Sequence, residues 1–271
     1  MKILAIGDIV SQTGRKMVFE ILELLRPTVD LVVANCENAA HGKGLTGQVY
    51  NELARSGIDV MTLGNHTWGC PDVVNVLKYK DNVIRPANFE GDCPGIGYTI
   101  AKTAGGITVG IINLIGRTYM QPASNPFFAA DKYIEKLKAQ TNIILIDFHA
   151  EATSEKVSMG YYLDGKVSAV FGTHTHIQTA DDTVLPKGTG YITDLGMTGP
   201  VCSVLGMNKD IIIQRFLDGR PQKFDVAVGK GQFCGCIFEI DETSGMTVST
   251  ERVYKKETKK AVFTAFFYSR N

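Results

Sequence analysis

Four of the chain's five histidines stand at or just beyond the ends of short apolar runs. Lys2–Ile6 runs into Gly7-Asp8, Leu31–Ala34 into Asn35-Cys36-Glu37-Asn38, and Asp59–Leu63 into Gly64-Asn65-His66. Ile143–Phe148 is followed by His149, and Val167–Phe171 by Gly172-Thr173-His174-Thr175-His176. Alternate residues of an extended chain share a face, so His174 and His176 present both imidazoles to one side. Asp8 and Glu37 add anionic oxygens, and Asn65 adds a neutral amide oxygen. Nitrogen and oxygen donors without a thiolate suit Mn, Fe, Zn or Ni rather than a structural cysteine-bound zinc.

The chemistry open to such a set is attack on a phosphate ester. A phosphodiester is anionic and repels nucleophiles. Two metal ions roughly 3.5–4 Å apart can share a hydroxide, neutralise the phosphate oxygens and hold the group in line. Glu37 is the candidate for a carboxylate shared by both ions. His66, one residue beyond Asn65, is the candidate catalytic imidazole, placed to protonate the leaving oxygen or steady developing charge. Taken singly, each residue has an ordinary reading: Asp8 caps a turn, Asn65-His66 makes one, and His149 is a hydrogen-bonded core histidine. Five strand ends converging on ligand residue types raise the metal reading above these.

Such residues need a sheet whose strand ends meet. The first half alternates strands (2–6, 31–34, 59–63) with helices (15–25, 46–56, 71–79), which implies parallel pairing with buried strands. The middle adds a hairpin, 98–103 and 107–114, about Ala104-Gly105-Gly106. Then come a helix over 131–140 and strands over 143–148 and 167–171. The second half is expected to hold a strand at 190–193, a helix around 209–217, and strands at 223–228, 233–240 and 246–253. The fold class expected is α/β: two mixed β-sheets packed face to face with helices outside, a four-layer sandwich in which ligands bind at the carboxyl ends of the strands.

Composition sets outer bounds. With 44% hydrophobic and 21% charged residues, the 271-residue chain has enough apolar material for one domain across residues 1–271. Lys+Arg and Asp+Glu both total 28, which disfavours coating of long nucleic acid, since that role needs a basic excess. No apolar run reaches the roughly 18–20 residues of a membrane helix, and Asp8 interrupts the apolar start, so a cytoplasmic protein is expected. The six cysteines lack a C-x-x-C pair and read as small buried hydrophobes. The last stretch, 255–271, reads as a tail with no obvious partner strand.

In the order Asp, Asn-His, His, His-x-His, the motifs Gly7-Asp8, Gly64-Asn65-His66, His149 and Gly172–His176 resemble the calcineurin-like metallophosphoesterase signature over about residues 1–200. Two positions depart from it: Val10 stands where a histidine is usual, and Glu37-Asn38 where an aspartate bridges. With His41-Gly42-Lys43-Gly44-Leu45-Thr46 and the run from Asp147 to Lys156, these departures resemble the bacterial YmdB-like phosphoesterases. The resemblance implies a bimetal centre, often iron, acting on 2′,3′-cyclic nucleotides. One ion would be held by Asp8, Glu37, His176 and Asn38, the other by Glu37, Asn65, His149 and His174, with His66 catalytic. Lys43 and Arg117 are weaker candidates for substrate contact. A broad phosphomonoesterase and a metal-bound regulatory scaffold or sensor stand as alternatives. The partner expected is a small nucleotide or phosphodiester, with no membrane; a homo-oligomer is left open.

Overall fold

The computed structural model describes residues 1–257. In chain order the strands are β1 (Lys2–Ile6), β2 (Asp8–Ile9), β3 (Leu31–Asn35), β4 (Val60–Thr62), β5 (Val83–Ile84), β6 (Tyr98–Lys102), β7 (Thr108–Ile115), β8 (Ile144–His149), β9 (Ala169–Thr173), β10 (Thr183–Val184), β11 (Gly190–Ile192), β12 (Met197–Pro200), β13 (Gly231–Ile240) and β14 (Thr247–Lys256). The helices are α1 (Ser11–Leu25), α2 (Gly47–Arg55), α3 (Val73–Tyr79), α4 (Pro126–Lys138), α5 (Thr153–Leu163) and α6 (Lys209–Asp218).

The strands form two mixed sheets. One runs β2-β12-β13-β1-β3-β4-β5, with β14 added to β13; the other runs β10-β11-β9-β8-β7-β6. In the first, β1, β3, β4 and β5 are parallel and β13 is antiparallel to β1. In the second, β7, β8, β9 and β11 are parallel and the edges β6 and β10 are antiparallel. The central strands read as continuous Val, Ile, Leu and Ala because both of their faces are covered.

Three apolar clusters define the layers. Leu4, Ile6, Val32 and Met61 pack toward α1, α2 and α3 through Val18, Leu22, Val49, Leu53 and Val76. Ile3, Ala5, Leu31 and Val33 meet Ile111, Leu145, Phe171 and Ile192 between the sheets. Ile112, Ile146 and Val170 face α4 and α5 through Ile134, Leu137, Met159 and Leu163. Alternate residues of one strand thus serve different layers, and the arrangement is the expected helix–sheet–sheet–helix sandwich.

Several boundaries differ from expectation. Helix α1 begins at Ser11, with Gly14 inside it, because a Cβ at Gly14 would lie 2.3 Å from the Thr198 carbonyl oxygen. Helix α4 begins at Pro126: Asn125 Oδ1 accepts from the Phe127 N–H at 2.9 Å, and proline suits the first turn. Residues 223–228 form no strand; Val226 makes one isolated bridge to Met207 while its neighbours Lys223 and Val228 face solvent. Strand β14 carries the chain to Lys256, so the first two residues of the expected tail are sheet, paired with Phe233 and Gln232. The rest of that tail, from 258 on, lies outside the described residues. Among the described residues no helix is long and apolar enough to cross a membrane.

Candidate metal centre

Each predicted ligand sits at a strand end for a local reason. After β1, Gly7 passes under residue 196 so closely that a Cβ would lie 1.9 Å from the Gly196 carbonyl oxygen. The chain then re-pairs as β2 beside β12 and delivers Asp8, fully buried. Glu37 and Asn38 follow β3, and Asn65 and His66 follow β4 after Gly64. His149 is the last residue of β8. His174 and His176 follow β9 with φ of 98° and 66°, a left-handed backbone that costs ordinary residues energy. Tertiary bonds offset that cost: Asp8 Oδ2 accepts from the His174 N–H (3.1 Å), and Asp194 Oδ2 accepts from Thr175 N–H (3.1 Å) and its hydroxyl (2.8 Å). Asp194 is itself paired in the interior with the Lys156 ammonium at 2.5 Å.

The donors converge. His149 Nε2 lies 2.8 Å from Asn65 Oδ1, 3.1 Å from His174 Nδ1 and 3.2 Å from Glu37 Oε1. Atoms sharing one ion at bond lengths of about 2.0–2.2 Å stand roughly 3 Å apart, so these separations fit a common ligand shell. Glu37, His149 and His174 form a group able to hold a metal ion. A second set faces it. His176 Nε2 is 3.8 Å from Asp8 Oδ1. Asp8 Oδ1 and Asn38 Oδ1 are buried oxygens without a hydrogen-bond partner, which is the condition of atoms reserved for a cation. Glu37 lines the same cavity as Asn38 and His176, and its Oε2 accepts from the His66 N–H at 2.7 Å.

The outward nitrogens are also engaged. His176 Nδ1 donates to the Leu205 carbonyl (3.0 Å), and His174 Nε2 donates to Glu151 Oε2 (3.0 Å). His149 Nδ1 is 2.9 Å from the Thr173 hydroxyl. Metal-binding imidazoles characteristically have the far nitrogen held in this way.

The electrostatics of these side chains point the same way. Burial works against the Glu37 carboxylate, but His149 and His66 outweigh it and hold it at about 2. Burial also works against a charged His149, yet Glu37, Asp8 and Asp147 push it up to about 9. His174 falls to about 3, through burial and then His149. Burial lowers His66 and raises Asp8. The cluster of acids therefore keeps one proton on His149 where positive charge is required.

A cavity of about 230 Å³ opens over these groups, lined among others by Glu37, Asn38, Lys43, His66, His174 and His176. Lys43 is thus on the wall of this cavity. Its loop needs Gly42 and Gly44 at φ of 87° and 75°, and Gly44 abuts Cys70. A larger cleft of about 640 Å³ shares His176 and Leu205 but holds no other predicted ligand; the chemistry marks the smaller one.

Arg117 is not brought to the centre. It lines a separate depression with Asn125, Phe127 and Ser154, and its backbone N–H is held by Glu155. Thr153 and Ser154 begin α5 without capping it, the cap position being Ala152. Asn35, Asp147, Glu151, Lys156 and Thr173, which the sequence offered only within motifs and without a role of their own, support the site, as does Asp194, which no motif contained. Asp147, two residues before His149 in an apolar strand, carried the clearest signal, since the two must share a face.

The family described as YmdB-like protein matches residues 4–253. The chain is 48% identical over 255 residues to a 2′,3′-cyclic-nucleotide 2′-phosphodiesterase of Bacillus subtilis, covering 93% of this chain and 96% of that protein. It resembles the crystal structure of a hypothetical protein from Thermus thermophilus, with TM-score 0.90 and 40% identity, covering 95% of this chain and 100% of that one. It also resembles that of a novel phosphatase from Mycoplasma pneumoniae, with TM-score 0.89 and 35% identity, covering 96% and 95%. With its strand-end motifs, its sandwich and these likenesses in agreement, the chain belongs to the YmdB-like protein family.

Proposed function

We propose that the chain hydrolyses phosphate esters, with 2′,3′-cyclic nucleotides as its substrates, and that it works with two metal ions. The observation that carries the reading is the convergence of Glu37, Asn65, His149 and His174 beside the unpartnered oxygens of Asp8 and Asn38. The name of the Bacillus subtilis relative supports the substrate class.

Asp8, Glu37, Asn38 and His176 would hold one ion, and Glu37, Asn65, His149 and His174 the other. When bound, the ions supply Lewis acidity that neutralises the phosphate and makes water nucleophilic at neutral pH. Nitrogen and oxygen donors admit Fe, Mn, Zn or Ni, with iron favoured by the family resemblance. Lys43, on the cavity wall, attracts the anionic substrate. His66, half-buried on the same wall and anchored through its backbone to Glu37, gives a proton to the departing ribose oxygen.

The test is hydrolysis of 2′,3′-cyclic AMP beside a simple phosphomonoester, with metal content measured on the same sample. Faster diester turnover and close to two metals per chain are expected. Equal or better monoester turnover would overturn the substrate class. A folded Glu37→Gln protein with full activity would overturn the shared-ligand assignment.

A further inference from the structure

Behind His149, on the side away from the cavity, lies a buried carboxylate to which the proposed reaction assigns no role. Asp147 is on β8, two residues before His149 and fully buried, so both point to the same side of the strand. It receives the Thr173 hydroxyl at 2.6 Å, the Asn35 amide at 3.2 Å and, in a short contact, the Thr62 hydroxyl. The same Thr173 oxygen is 2.9 Å from His149 Nδ1.

Counting protons fixes the direction of this chain. A carboxylate only accepts, and a threonine hydroxyl has one proton to give. With that proton on Asp147, Thr173 can only accept from the imidazole. His149 then carries hydrogen on Nδ1, and with an ion among Asn65 Oδ1, Glu37 Oε1 and His174 Nδ1 its Nε2 would present the lone pair to that ion. We propose that Asp147, acting through Thr173, is the positioning residue that fixes the proton of His149 on Nδ1 and so frees Nε2 to bind metal. The inference rests on the reading of His149 as a metal ligand. Sequence separation hides the device: its members come from β8, β9 and the ends of β3 and β4, which the sheets bring together.

Two measurements test it. In the zinc-loaded protein, ¹⁵N NMR of the ring should find the proton on Nδ1, and Thr173→Val should move that Nδ1 resonance while Thr173→Ser leaves it near the wild-type position. A proton on Nε2 with zinc bound, or an Nδ1 resonance that Thr173→Val leaves unmoved, would overturn the relay. Zinc competition against a chelator gives the second readout. Thr173→Val and Asp147→Asn should each weaken the His149 ion by about 10–100-fold, the usual cost of losing such an outer partner. Thr173→Ser, which keeps the hydroxyl, should restore it.

Because Asp147 acts through Thr173, Asp147→Asn should cost little further in a Thr173→Val background. Fully additive losses, or no recovery with serine, would overturn the proposal. A wild type that takes up no zinc would instead remove the reading of His149 as a metal ligand, and the relay with it.

Discussion

Replacing Gly64 by alanine tests the packing behind the centre with the addition of one methyl group. A Cβ built at Gly64 lies 2.3 Å from His149 Nε2, 2.4 Å from Cδ2 and 2.5 Å from Cε1. Ordinary contact needs 3.4 Å or more, so the ring must retreat by about 1 Å or the β4 end must move. The ring has little room to retreat: it is fully buried, bonded to Thr173 behind and packed edge-on to His174 with centroids 4.8 Å apart. Overpacking of this kind costs about 1–3 kcal/mol, or roughly 2–12 °C of melting temperature at this chain length. Displacement of Nε2 should also lower occupancy of the ion it would share with Asn65 and Glu37. Gly47→Ala is the control, since its Cβ meets nothing closer than 3.4 Å, at the Asp72 carboxylate; it should melt within about 2–4 °C of wild type. Calorimetry and metal analysis on the three proteins decide the matter. A Gly64→Ala protein with wild-type melting and full metal content would refute the claim that the glycine exists to admit the imidazole.

Other outcomes follow from the same geometry. Lys156→Met should lower stability by about 3–5 kcal/mol in urea unfolding, because it strands the Asp194 carboxylate in the interior; a loss below about 1 kcal/mol would contradict that. Metal uptake should weaken by about tenfold per pH unit below 9, because His149 must shed the proton that holds it at about 9. A pH-independent zinc affinity between pH 6 and 8 would contradict it. In the native protein a thiol reagent should reach exposed Cys202 first and should reach buried Cys36, Cys234 and Cys236 only on unfolding. Burial pushes the thiols of Cys234 and Cys236 up to about 12 and that of Cys36 higher still. Fast labelling of all six would show the strands open more readily than their packing implies.

The strand-end polar groups were legible because they follow from periodicity: a buried parallel strand presents a polar group to a cleft most readily at its end, and five strands do so. What escaped was whatever depends on distance across the sandwich. Asp147 and Thr173 are 26 residues apart and meet only because β8 and β9 pair. Lys156 lies on a helix, where a lysine ordinarily signals solvent, and its ion pair with Asp194 needs α5 packed over β9. Arg117 misled for the opposite reason: its cationic type fits a phosphate, but its loop opens on another depression. The 223–228 segment has apolar alternation, yet among the described residues it pairs only through the single bridge of Val226 to Met207, so pattern alone overstated it.

Asp8, Glu37 and Asn65 extend from strands of one sheet, whereas His149, His174 and His176 extend from the other. Any ion they share would therefore be a fastener between two halves that otherwise meet through apolar side chains and a few buried polar contacts such as those of Asp147 with Asn35 and Thr62. A half-assembled chain owns only half a site, so on the proposed two-metal reading metal capture would wait on the docking of the sheets and then oppose their separation. Its contribution grows with metal concentration, by RT ln(1 + [L]/Kd) for each ion. For such a molecule, starvation for metal would be felt as lost durability as well as lost turnover.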